Sequence, residues 1–195
     1  MNPKKFVITA VLLAAVAASA GAQTTKSPAE DVAQAILRLP YYGPFDVIGM
    51  SYDKGTVTLT GDAYALGLKR DAERAVTRVA GVDRVINQIA QLPPSPNDDN
   101  LRWRTFYAIY SNDFLSRYAP GGGILWGHRY AGWHLRGLGQ EPIGNYPIHI
   151  IVKNGRIKLI GSVDSETDKN VANIAARGVA GSFGVDNQIT VEQSS

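Results

Sequence analysis

Around Gly155 the chain reads "YPIHIIVKNGRIKLIG", with an apolar side chain at every second position on both sides of Asn154-Gly155. Alternation of period two marks a strand buried on one face, and Asn-Gly accepts the positive φ angles of a tight two-residue turn. The pattern predicts a hairpin that pairs Lys153 with Arg156, Val152 with Ile157 and Ile150 with Leu159. Ile148, Ile150, Val152, Ile157 and Leu159 then share one face. Residues 46–61 predict the same register around Lys54-Gly55. There Ile48, Met50, Tyr52, Val57 and Leu59 point inward, and Thr56, Thr58 and Thr60 point out. One buried face and one wet face call for helices on a single side.

Beyond the first hairpin the period changes. Leu68, Ala72, Ala75, Val76 and Val79 fall on one helical stripe, and Ser165-Glu166-Thr167-Asp168 has the form of a capping box at the start of the matching second helix. Gly81 and Gly181 end these helices. "VDRVINQIAQL" and "FGVDNQITVEQ" then supply a third strand, with Val185, Ile189 and Val191 on one side and Asn187 among them. A polar group on that side needs a hydrogen-bond partner, so Asn87 and Asn187 read as structural residues that bond backbone. A helix also precedes each hairpin. "AEDVAQAILRL" presents Val32, Ala35, Ile36 and Leu39; "LRWRTFYAIYSNDFLSRY" presents Leu101, Thr105, Ala108 and Ile109 more loosely.

The two halves are copies. Displacing the chain by 100 residues lays 55–89 on 155–189 without a gap, with 13 identities in 35 positions. Gly55, Leu59 and Gly61 meet Gly155, Leu159 and Gly161; "VAG" and "NQI" recur in place. Such a repeat means one domain written twice. The expected fold is α+β: two small αββαβ sandwiches, each a small mixed sheet covered on one face by two helices. Expected boundaries are 28–92 for the first, a Pro-rich linker at 93–99, and 100–193 for the second.

Residues 1–22 read as a cleaved signal peptide, with Lys4 and Lys5 before an apolar run too short to span a bilayer. No cysteine occurs, which excludes a lipoprotein anchor, disulfides and thiolate metal sites. The expected location is periplasmic. Charge is modest: the formal +3 falls to +1 without the leader lysines. Neither half carries the basic field expected of a nucleic-acid binder. Arg70, Arg74 and Arg78 line one helix face, read either as an anion-binding surface or, more simply, as a solvated face with Asp71 and Glu73 nearby.

A glycine hairpin "(K/N)G-x-(V/I)-x-L-x-G", a helix ending "V-A-G" and a "V-x-N-Q-I" strand resemble the BON domain, named for bacterial OsmY and nodulation proteins. The resemblance covers the first copy from about Ala29 to Leu92 and the second except for an insertion. It implies a tandem-BON periplasmic protein, non-catalytic and without cofactor, that binds phospholipid or envelope components and is linked to osmotic or envelope stress. The partner implied is an anionic phospholipid surface or an envelope protein.

The insertion, at about 120–142, departs from the pattern. Trp126, Tyr130 and Trp133 are spaced to align on a helix, with Arg129 and Arg136 flanking, a composition suited to a membrane interface. Its glycines favour instead a loop whose rings pack on the first copy or on Val171 and Ile174. The histidines, His128, His134 and His149, match no metal-ligand spacing. No nucleophile elbow or phosphate loop is present. A carboxylate pair such as Asp164 with Glu166 is conceivable, with helix capping the better reading for those residues.

Overall fold

The computed structural model describes residues 27–120 and 142–192. The expected leader at 1–22, and Trp126, Arg129, Tyr130, Trp133 and Arg136 of the insertion, lie outside the described residues, as do His128 and His134. The first copy runs α1 (Pro28–Leu37), β1 (Val47–Asp53), β2 (Thr56–Ala63), α2 (Leu68–Val76), β3 (Arg84–Asn87) and the short β4 (Ala90–Gln91). The second runs α3 (Pro96–Tyr110), β5 (Ile148–Lys153), β6 (Arg156–Val163), α4 (Glu166–Arg177) and β7 (Gly184–Val191), with a 3-10 turn at Ser116–Tyr118. Two separate sheets result, ordered β1-β2-β3, with β4 also on β2, and β5-β6-β7. In each the hairpin is antiparallel and the last strand joins the middle one in parallel. The fold is the tandem αββαβ pair that the pattern predicts.

The hairpin registers are those set by the turns. Met50 faces Leu59 and Ile150 faces Leu159. Lys54, Gly55, Asn154 and Gly155 all take positive φ, so each two-residue turn twists with its strands. Leu59 and Leu159 are both fully buried.

The helices depart from expectation at three ends. Residues 96–99, expected in the linker, form the first turn of α3. Ser95 caps it by accepting from the Asp98 N–H, Pro96 begins it, and Asp98 and Asp99 sit at its positive end. The same helix stops at Tyr110 rather than running on to Tyr118. Asn112 breaks it, its side chain accepting from the Phe114 N–H, a local bond that competes with helix. At α4 only half the capping box forms: Ser165 accepts from the Asp168 N–H, while the Asp168 carboxylate takes the Ser165 hydroxyl, Arg117 and Tyr118 instead of the Ser165 N–H. The complete box lies at α1, between Ser27 and Glu30.

The strand β5 breaks its alternation, because His149 and Ile151 are buried along with Ile148, Ile150 and Val152. The reason lies in the other copy. The Tyr42 ring stands 5.5 Å from His149, and Phe45, 2% exposed, belongs to the second copy's core, packed on Trp103 and Phe106 at 5.4 and 5.8 Å. The copies are therefore docked, with an aromatic of the first inserted into the second.

Candidate functional site

The docking joint concentrates the buried polar groups. Asp46, 2% exposed, accepts N–H donors from Gly43, Tyr64 and Ala65 at 3.3, 2.7 and 3.0 Å. Burial pushes its carboxyl up to about 6, against the opposing pull of those amides and of Arg102. Arg102 is fully buried. Its Nη2 donates to the Val152 carbonyl at 2.7 Å, its Nη1 meets Asp99, and its guanidinium stacks 4.6 Å over the Tyr64 ring of the other copy. His149 is buried, and burial brings its imidazole down to about 4, although the Asp46 and Gly43 backbones favour the charged form. The neutral ring leaves its Nδ1 without a partner among the described residues.

The remaining buried charges hold local structure. Asp98 accepts both turn amides of the second hairpin, from Asn154 at 2.9 Å and Gly155 at 2.8 Å. Asp168 accepts from Arg117, Ser165 and Tyr118 at 2.6, 2.6 and 3.0 Å. Burial raises its carboxyl, but these partners outweigh burial and hold it below the ordinary value. Asp164 lies 3.6 Å from Arg117, so that arginine bridges Asp164 and Asp168; Glu166 stands in the first turn of α4.

The repeated polar residues share two bonds in each copy, and Asn87 adds a third to Glu73. Asn87 Nδ2 donates to the Lys69 carbonyl at 2.8 Å, and Asn187 Nδ2 to the Lys169 carbonyl at 3.1 Å. Each Oδ1 accepts the N–H two residues on, from Ile89 and Ile189, at 3.2 Å. The side chain thus ties the third strand to the helix before it. Gly61 and Gly161 adopt φ of 117° and 132°, and a Cβ there would fall 2.1 Å from the Val47 oxygen and 1.9 Å from the Pro147 oxygen. Only glycine lets the hairpin arms approach so closely.

Between the two sheets runs an open groove of about 600 Å³. Corresponding strand positions of the two copies line it: Gly49 with His149, Thr60 with Ile160, Gly61 with Gly161. Ser162, Gln188 and Asn145 add uncharged hydrogen-bonding groups, and Arg117 and Glu192 stand at it already engaged by Asp168 and Ser162. A second, more open hollow of about 840 Å³ lies beside the start of α3, where Asp98 is occupied by the hairpin and Arg104 by the Ala180 carbonyl. Among the described residues no three metal-ligating side chains converge. None of the joint residues Phe45, Asp46, Arg102 and His149 stood out in sequence; a buried arginine has no local signature at all.

Comparison with known proteins places these features. The BON domain family matches residues 25–93 and 138–193. No curated protein matches the chain. Two solved structures share 13% and 14% identity with it, with TM-scores of 0.27 and 0.26. One is the C-terminal domain of CdsD, the structural protein of the type III secretion system of Chlamydia trachomatis, covering 84% of this chain and 96% of that one. The other is a further CdsD structure, covering 85% and 92%. A likeness at those scores carries no functional inference.

Proposed function

Because the chain belongs to the BON domain family and carries that domain twice, we propose that it is a non-catalytic binding module of the bacterial envelope that associates weakly with anionic phospholipid. What carries the reading is the engagement of the buried charges. Asp46, Asp98 and Asp168 each accept backbone N–H groups or fixed side chains, and Arg102 donates to a backbone carbonyl. These groups brace turns and the joint; they do not converge on a cavity as an acid–base or nucleophilic site requires.

The surface of the second copy supports the lipid contact. Phe114 and Ile143, 64% and 51% exposed, stand on either side of the 120–142 insertion, whose sequence carries tryptophans and arginines. Apolar rings with arginine suit the headgroup layer. Among the described residues no helix is long and apolar enough to cross a membrane, which fits association at a surface. The basic-then-apolar pattern of residues 1–22, read as a signal peptide, supports a periplasmic location, where envelope stress would act.

Co-sedimentation with vesicles tests this. The full chain should pellet with phosphatidylglycerol-containing vesicles and not with phosphatidylcholine alone, and deletion of residues 120–142 should weaken pelleting. Equal pelleting of both forms, or none, overturns the lipid reading. The groove between the copies favours a second reading, an adaptor that holds a segment of another envelope protein against its uncharged hydrogen-bonding lining. Salt separates the two, since attraction through a few charges fades with ionic strength while an apolar or hydrogen-bonded protein contact persists.

A further inference from the structure

We propose that the outer face of α2, in the first copy, is a second contact with the phosphates of an anionic bilayer, a proposal that rests on the lipid reading above. Arg70 and Arg74 stand one turn apart on α2, about 6 Å along its axis at 1.5 Å per residue, and Arg78 follows in the turn just past the helix end at Val76. They surround a shallow recess of about 350 Å³ with Glu73 and Thr77. In sequence, Asp71 and Glu73 lie near enough to offset two of these three charges. In the structure they fall short of that. Glu73 is drawn aside to accept from Asn87 Nδ2 at 3.0 Å. Asp71 is shared, 3.9 Å from Arg70 and 3.7 Å from Arg74. Arg70 and Arg74 stay 75% and 55% exposed, and Arg78 has no ion pair among the described residues.

The fold does not require these cations. The second copy builds the same helix with Asn170, Ile174 and Gly178 at the corresponding positions. What the row offers is a line of guanidinium forks, each able to donate to phosphate oxygens. Three arginines spread over α2 and the turn after it exceed what one phosphate group can engage, since each guanidinium can fork two oxygens. A bilayer presents phosphates side by side, and each basic residue held near an anionic leaflet adds roughly a factor of five in affinity.

The test uses the full chain and vesicles of phosphatidylcholine with or without phosphatidylglycerol. The triple variant R70Q/R74Q/R78Q keeps helix propensity and should bind the anionic vesicles on the order of 100-fold more weakly. R70K/R74K/R78K should retain most of the binding. Inorganic phosphate at fixed ionic strength should not compete. An unchanged affinity in the glutamine variant, with its thermal midpoint preserved, overturns the proposal. So does full competition by inorganic phosphate, which would mean a site for a soluble anion. If the unaltered chain ignores anionic vesicles, the lipid reading falls with it. If deletion of 120–142 weakens binding and the glutamine variant does not, only the α2 contact falls.

Discussion

Every buried residue of the first core, from Val32 to Ile89, comes from the first copy, whereas the second core, built on the same strands and helices, takes Phe45 from its neighbour. The sheet edges differ in the same sense. Along the outer edge of β5, the Tyr110 hydroxyl donates to the Ile148 carbonyl at 2.6 Å and accepts its N–H at 3.1 Å. The Ile150 N–H donates to the Pro44 carbonyl at 2.6 Å, and Arg102 caps the Val152 carbonyl. Exposed strand edges invite pairing with other chains, and this one is closed partly by the other copy. On β1 the hydroxyl that meets the Ile48 backbone is that of Tyr42, from the same copy. Duplication therefore produced one unit that completes itself and one that depends on its neighbour.

The largest test of that asymmetry is separation. Residues 27–93 alone should fold with a cooperative thermal transition by circular dichroism. Residues 94–193 alone should show none, having lost both Phe45 and the Pro44 cap; independent folding of both fragments would erase the distinction. Next is F45A in the full chain. It should cost about 3–5 kcal/mol by urea unfolding, as a large side chain removed from a core does. F183A, at a ring 77% exposed, should change stability by less than about 0.5 kcal/mol.

The joint also makes a pH prediction. His149, neutral in the fold down to about 4 against an ordinary 6.5, takes its proton only in the unfolded chain between those values, so stability falls as pH drops through that window. Asp46, raised from 3.8 to about 6, binds its proton more readily in the fold, so stability rises as pH drops from 6 to 3.8. Each slope amounts to about 3 kcal/mol, and they oppose. Asp168, held low, loses its contribution only below the ordinary carboxylate range. The unaltered chain should therefore be nearly flat between pH 6.5 and 4. D46N should lose stability on acidification across that range, and H149Q should gain it, read as slopes from urea titrations at each pH. Parallel slopes in both variants would deny the opposition. The smallest effect compares the two copies: N87A and N187A should each cost about 1 kcal/mol, the worth of a typical hydrogen bond, with N87A the costlier because Asn87 also bonds Glu73.

The sequence carried what is local. Gly55 and Asn154-Gly155 set the turns, alternation set the registers, and the 3.6-residue stripe at Leu68, Ala72 and Val76 found a helix. The joint was hidden for a physical reason. Phe45 sits in "PYYGPFD", which has no periodicity, and its burial depends on a partner more than fifty positions away. Arg102 carries no sequence signal, because nothing nearby forecasts the Val152 carbonyl or the Tyr64 ring that encloses it. The α3 start was misplaced because a run of Pro, Ser, Asn and Asp suits a loop as well as a helix N-terminus. At α2 the sequence placed the arginines, but only coordinates reveal that Asn87 draws Glu73 away from them.

A polypeptide is made from its N-terminus, so the donor of Phe45 exists before the recipient does. The later half can condense on a finished template instead of searching for its own interior, as domains emerging in order commonly do. The tether between them is short: β4 ends at Gln91 and α3 opens at Pro96. A brief tether keeps the matching template at high local concentration, so exchange of halves between molecules should be rare unless 92–95 is lengthened.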